Sequence, residues 1–211
     1  MKYFNSLPLI TQNDFNGNAI VVNNLISRAY LLPSLAKNVM FFYQYDVKES
    51  DTPENIAYKY YEDMDRYWIL LYSNGIIDPQ SDWPLTSQQF DLYLTKKYSE
   101  DAGSSEPSIV LSYITGTIHH YEQTTTTTDS SNLQKQNVTI KIDENTYNNM
   151  IETQYDAVFS NGVKVSKTIT KKAVSIYDYE NRLNESKRKI KIMKKNYVDQ
   201  METQLKNVMS K

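Results

Sequence analysis

Apolar and polar positions change rhythm several times along the chain, and each change marks a candidate element. Tyr43, Tyr45 and Val47 alternate with Gln44, Asp46 and Lys48, the period of two expected of a half-buried strand. The rhythm then lengthens, with Ile56, Ala57, Tyr60 and Tyr61 on one helical face. Asp51 or Thr52 supplies a short acceptor ahead of Pro53, and Glu54 places an acid near the positive end of the helix, so a helix starts here. After the acidic turn Glu62-Asp63-Met64-Asp65, the run Tyr67 to Tyr72 is apolar on every side and reads as buried helix. Asn74-Gly75 stops it, and Ile76-Ile77-Asp78-Pro79 leads into a short second strand or loop closed by Trp83-Pro84. The expectation is a β-α-α-β module over residues 42–86.

The flanks carry shorter patterns. Leu7 to Ile10 and Ala19 to Val22 are apolar runs around an Asn/Asp-rich turn with Gly17, which predicts an extended arm or hairpin. Leu25, Ile26, Ala29, Leu32, Leu35 and Ala36 have helical spacing, with Asn23 or Asn24 as cap and Pro33 as break or kink. Residues 1–41 are therefore expected to be an N-terminal arm and helix. Beyond Trp83, Thr86 or Ser87 caps a helix through Gln88 to Leu94, ending before the polar loop Ser99 to Pro107. Ile109 to His120 is rich in Val, Ile, Tyr and Thr and reads as strand. Thr124 to Thr128, followed by Asp129-Ser130-Ser131-Asn132, is low complexity and reads as an exposed hairpin tip or mobile loop. Val138 to Ile142 returns as strand, Glu144 to Asp156 has only weak helical pattern, and Ser160-Asn161-Gly162 turns into a strand over Val163 to Thr170. Residues 87–180 thus read as a helix plus a β-rich extension, and the fold class is α+β.

Charge separates the last segment from the rest. Residues 181–211 hold nine Lys/Arg against three Asp/Glu, a net +6, whereas the preceding residues are net −8. Ile190 and Ile192 alternate with lysines as a solvent-edged strand would. Asn196 then caps a helix in which Val198, Met201, Leu205 and Val208 form a narrow apolar stripe, of the kind that docks on a partner helix or on the body of a domain. We assign that stripe to partner docking, and a chain truncated after Asn196 is expected to keep its module folded.

Composition removes several function classes. There is no cysteine among the 211 residues, hence no disulfide, thiolate metal site or cysteine nucleophile. No apolar run reaches the roughly 18 residues of a membrane span, and the N-terminus lacks the apolar stretch of a cleavable signal, so the chain should stay soluble where it is made. His119-His120 is the only histidine pair, and adjacent strand residues point to opposite faces, so the pair cannot share a metal. Asp63 with Asp65, and Asp51 with Glu54, read as solvated loop acids rather than a glycosidase pair. No nucleophile elbow or phosphate-cradling glycine loop is present. The chain is read as not an enzyme, with no catalytic, cofactor-binding or metal residues. The basic tail has no aromatic interleaving beyond Tyr197, so nucleic acid is not expected as a partner, nor is a membrane. Eighteen tyrosines against six phenylalanines suit protein interfaces, or reflect compositional bias in the coding sequence.

The module's residues carry a resemblance. Asp51, Thr52, Ile56, Ala57, Tyr60, Trp68, Asn74, Ile77, Asp78 and Pro79 stand in the order of a LysM module, although Glu62 stands where such modules commonly carry glycine. Pro53 within D-T-P-E-N-I-A, the run Y-W-I-L-L, and Trp83 and Pro84 within D-W-P-L narrow it. In that form, together with N-E-S-K-R-K-I-K-I-M and the terminal helix, the chain resembles the LysM-like baseplate wedge subunit of contractile-tailed phages of the T-even type. The resemblance implies a structural virion protein of the tail baseplate, made and assembled in the host cytoplasm, that joins wedge subunits to each other around the hub. Its implied partners are other baseplate wedge proteins in a hetero-oligomer. The alternative use of a LysM fold is binding of peptidoglycan through N-acetylglucosamine, in a groove near Asp51, Thr52 and Ile76 to Pro79. The single copy and the absence of an attached lytic domain argue against peptidoglycan as partner.

Overall fold

The computed structural model describes residue 3 and residues 7–27, 38–130, 135–160 and 162–209. Among them, strands β1 Leu9–Asn13, β2 Ala19–Asn23 and β3 Phe42–Asp46 precede helices α1 Pro53–Tyr61, α2 Tyr67–Asn74, α3 Pro79–Asp82, α4 Ser87–Tyr98 and α5 Pro107–Gly116. Then come β4 Ile118–Asp129, β5 Lys135–Ile142, α6 Glu144–Asn149, β6 Thr153–Val158 and β7 Lys164–Ser175. The order ends with α7 Ile176–Ser186, β8 Lys189–Met193 and α8 Lys195–Met209. The chain is α+β and divides into two compact units, one of Met1–Ser87 with Asn184–Lys211, the other of Gln88–Leu183.

In the first unit, local chemistry sets the helices. The Thr52 hydroxyl accepts from the Asn55 backbone N–H at 3.3 Å, and Pro53 occupies the first turn, where its missing donor costs nothing. α1 ends at Glu62, which takes φ +59, the left-handed geometry that glycine fills more readily. α2 ends at Gly75, with φ +67. No strand follows α2. Ile76 and Ile77 lead instead into α3, and the partner of β3 is β8, antiparallel, with Phe42 opposite Met193 and Asp46 opposite Lys189. The β8 strand, expected at a solvent edge, is half core: Ile190 and Ile192 are 2% and 1% exposed while the intervening lysines face away.

This two-stranded sheet, α1, α2 and α8 enclose one apolar cluster containing Ile56, Ala57, Trp68, Ile69, Leu70, Ile190, Ile192 and Val198. At roughly 25 cal/mol per Å² of apolar surface, such full burial contributes about 1.5–3 kcal/mol per large side chain. β1 and β2 form the expected hairpin, Leu9 opposite Asn23 and Asn13 opposite Ala19. The helix expected through Ala36 falls largely on residues 28–37, outside the described residues; Leu25 and Ile26 lie in an exposed turn.

The second unit centres on an antiparallel sheet of order β5-β4-β7-β6. Two expectations are corrected here. Residues 107–116 are helix, not strand: Pro107 occupies the first turn, and Val110 and Ile114, one turn apart, are each 1% exposed. The threonine run is not a loop. Thr124 to Thr128 lie within β4, paired on both sides, because β-branched threonine suits a pleated surface and low complexity does not itself imply mobility.

Register sorts that sheet into two faces, since directly opposed residues share a face. Thr124 opposes Thr139 and Thr170, while Thr125 opposes Val138 and Ile169. Extended along the strands, one face carries Thr124, Thr126, Thr128, Thr168 and Thr170. The other carries Val138, Ile140, Ile169, Val165 and Tyr155.

The segment with weak helical pattern resolves into α6 and β6. Helix α7 has no counterpart in the apolar pattern, because two positions of its buried stripe, Glu180 and Asn184, are polar and 4% and 5% exposed.

Candidate functional site

The signature residues of the first unit lie in three places. At the start of α1 the Asp51 carboxylate accepts from the Tyr45 hydroxyl at 2.6 Å and the Lys48 backbone N–H at 2.9 Å, and the Trp83 indole N–H donates to the Asp51 carbonyl at 3.1 Å. Burial favours the neutral acid, but those two donors outweigh it and hold the Asp51 carboxyl below its ordinary range. Burial and the same hydrogen bond push the Tyr45 phenol up to about 12. Tyr60 meets Tyr45 edge to face at 5.7 Å.

In the middle, Trp68 is buried between Tyr3 and Tyr72, and Ile56 and Ala57 are core. Asn74 works as a clamp. Its amide donates to the carbonyls of Leu70 at 2.7 Å and Lys191 at 2.8 Å and accepts from the Lys191 backbone N–H at 2.8 Å, tying α2 to β8.

At the far end, the Asp78 carboxylate caps α3 by accepting from the Gln80 backbone N–H at 3.0 Å, with Pro79 in its first turn. Pro84 and Trp83 are buried, whereas Thr52, Ile77, Asp78 and Pro79 face solvent. Most signature positions therefore build the unit.

The terminal helix does so as well. Val198, Met201 and Leu205, assigned to partner docking, are buried in the chain's own cluster, and Val208 is exposed. The fourth core position is Met209. At roughly 100° per residue, Met209 returns to within about 20° of Val198 around the axis, while Val208 sits about 80° away. Arg66 reinforces the docking of α8, pairing with Asp199 at 2.9 Å and Glu202 at 3.2 Å.

Two polar clusters in the second unit were not visible in the sequence. The buried Glu180 carboxylate accepts from the Lys97 ammonium and the Tyr98 hydroxyl, each at 2.7 Å. Burial opposes ionisation of Glu180, and those partners overcome it, keeping Glu180 below the usual glutamate range, while burial and the bond to Glu180 push the Tyr98 phenol up to about 12. The second cluster corrects the histidine argument. Pairing of β4 with β7 shifts register between Ile118 and His120, and this irregularity lets the two imidazoles meet, Nδ1 to Nδ1, at 2.7 Å. His119 stacks on Tyr179 at 3.9 Å, and His120 contacts Glu122 at 3.0 Å, which Arg182 pairs at 2.8 Å. Burial, followed by the neighbouring His120 and Lys141, holds His119 below its ordinary value. Among the described residues no group of three or more His, Asp or Glu has metal-holding geometry, and no helix is long and apolar enough to cross a membrane.

Several large apolar side chains remain exposed at the surface. Val138, Ile140 and Tyr155 on one sheet face are each half exposed or more, as are Val158 and Phe159 nearby. In the first unit, Leu9, Phe15 and Val21 of the hairpin are exposed.

The sequence model of the phage family described as base plate wedge protein 53 matches residues 14–209. No curated protein matches the chain.

Proposed function

The chain belongs to the phage base plate wedge protein 53 family, and from that premise we propose that it is a non-enzymatic structural component of a contractile tail's baseplate, of the T-even type. In this reading it joins wedge subunits to one another around the hub. Its first unit acts as a LysM-like scaffold, and it works in the virion after assembly in the host cytoplasm.

The observation that carries this reading is the division of labour among the residues. The signature positions Asp51, Thr52, Asn74, Asp78 and Trp83 are occupied by hydrogen bonds inside the chain. Among the described residues, the apolar sheet face around Val138, Ile140 and Tyr155 is exposed. Carbohydrate recognition would call for uncommitted polar groups converging on a cleft. Exposed β-branched and aromatic side chains instead suit contact with protein neighbours.

The test is to mix the purified chain with candidate wedge subunits and, separately, with peptidoglycan. Co-migration with wedge subunits and no sedimentation with peptidoglycan is expected. Sedimentation with peptidoglycan, without wedge association, overturns the reading.

A further inference from the structure

The chain holds two histidines, adjacent on β4 and set where that strand shifts register against β7, between Ile118 and His120. A regular strand would send the two rings to opposite faces, whereas the irregularity brings Nδ1 of His119 within 2.7 Å of Nδ1 of His120. At that distance one nitrogen carries the hydrogen and the other offers its lone pair. Glu122 decides which. Burial works against its charge, but the Arg182 guanidinium, with Nη1 2.8 Å from both carboxylate oxygens, overcomes burial and keeps the group ionised. A carboxylate only accepts, so His120 Nε2, 3.0 Å away, is the donor to it. While neutral, His120 therefore keeps its hydrogen on Nε2 and accepts at Nδ1, and His119 donates from Nδ1.

This arrangement has a fixed capacity for protons. A proton added to the outer nitrogen of His119, Nε2, leaves its Nδ1–H donating to His120 and strengthens that bond by charge. A proton added to His120 instead is accommodated when His119 moves its hydrogen to Nε2 and accepts. Two added protons are not accommodated: both Nδ1 atoms then carry hydrogen, and two cationic rings face each other with no acceptor between them. The surroundings do not relieve that repulsion. The His120 and Glu122 side chains are only 12% and 13% exposed, and Glu122 is already shared between His120 and Arg182. Lys141 of β5 and Lys97 of α4 add positive charge, and Glu180 of α7 is engaged by Lys97 and Tyr98. Burial, then His120 and Lys141, accordingly hold His119 below its ordinary value. The pair also fastens two elements together. His119 stacks on Tyr179 of α7 at 3.9 Å, and just ahead of it the Ile176 N–H of α7 donates to the Thr117 carbonyl at 3.0 Å.

We propose that the His119–His120 pair is a proton-operated latch between β4 and α7, closed with no more than one imidazolium and opened when both rings are charged. Opening separates the two Nδ1 atoms, moves His119 off Tyr179 towards the solvent it already borders, and frees the irregular start of β4. Acidification therefore opens the latch and a return to neutral pH closes it. The latch lies wholly within the second unit and needs no partner, so it stands or falls independently of the wedge-joining reading.

Nitrogen-15 NMR of the imidazoles in the full chain is the test, since with two histidines a single substitution assigns every ring signal. At neutral pH the shifts should place the hydrogen of His120 on Nε2 and that of His119 on Nδ1. On acidification the pair should titrate in two steps at least about one pH unit apart. Amide hydrogen exchange should show loss of protection at the start of β4 across the second step. His119→Phe keeps a ring against Tyr179 but removes one of the two nitrogens. In that variant His120 should titrate in a single step, and the start of β4 should keep its protection through the same pH range. The wild-type tautomers and the spacing of the two steps decide the matter even where the variant folds poorly. Other neutral tautomers, two rings that titrate as independent ordinary sites, or unchanged protection at the start of β4 through the second step overturns the proposal.

Discussion

The two units distribute their apolar residues differently. In the first, Ile56, Ile69, Leu70, Ile192 and Val198, drawn from both ends of the chain, are essentially inaccessible to solvent. In the second, long strands are joined by regular cross-strand pairing, yet Val138, Ile140, Tyr155 and Val158 lie open. The first unit is held by enclosure of a core. The second also buries Phe90, Leu94, Val110, Ile114 and Val174, but it adds a long backbone ladder and buried polar contacts such as Glu180 and leaves one apolar sheet face exposed.

That contrast is broken or sharpened by mutation. Ile69→Ala should destabilise the first unit by about 2–5 kcal/mol, since it deletes a fully buried side chain and leaves a cavity. Val138→Ala should stay within about 0.5 kcal/mol of wild type. Chemical denaturation of both variants checks this, and equal effects would erase the distinction.

Asn74→Ala should cost about 1–3 kcal/mol by leaving the Leu70 and Lys191 groups without their partner. Its effect should appear in the same transition as that of Ile69→Ala.

The smallest effect is a pH dependence. Glu180 has a folded pKa below its unfolded value, so its stabilisation is present above the unfolded value and is lost as pH falls through the folded one. Melting of the second unit should therefore drop on acidification below the ordinary glutamate range. A Glu180→Gln variant should be less stable at neutral pH and converge on wild type in acid; parallel curves would contradict the assignment.

Local chemistry was readable from the sequence where a few neighbouring residues decide the outcome. The Thr52-Pro53 start of α1, the Gly75 stop and the Asp14–Asn18 turn all follow from side-chain acceptors and φ preferences close in the chain. Three features were hidden for physical reasons. The pairing of β3 with β8 depends on residues at opposite ends of the chain, and no local pattern names a strand's partner. Helix α7 was masked because its buried stripe includes Glu180 and Asn184; the Asn184 amide donates to the Leu85 carbonyl at 3.0 Å, and its oxygen accepts from the Leu85 N–H at 2.8 Å. The stripe of α8 was recognised as apolar, but apolar spacing does not say whether the surface it meets belongs to another protein or to the same chain. In the candidate site, the capping and clamping residues were legible, whereas Phe15 was not, because a lone exposed aromatic has no periodicity.

The most direct test of this account is the chain ending at Asn196. It removes Val198, Met201, Leu205 and Met209 from the cluster that contains Ile69 and Leu70. Amide hydrogen exchange should then show loss of protection at Ile69 and Leu70, while β4 and β7 remain protected. A truncated chain in which Ile69 and Leu70 exchange as slowly as in the full protein would show that the terminal helix is an accessory to the first unit rather than part of its core.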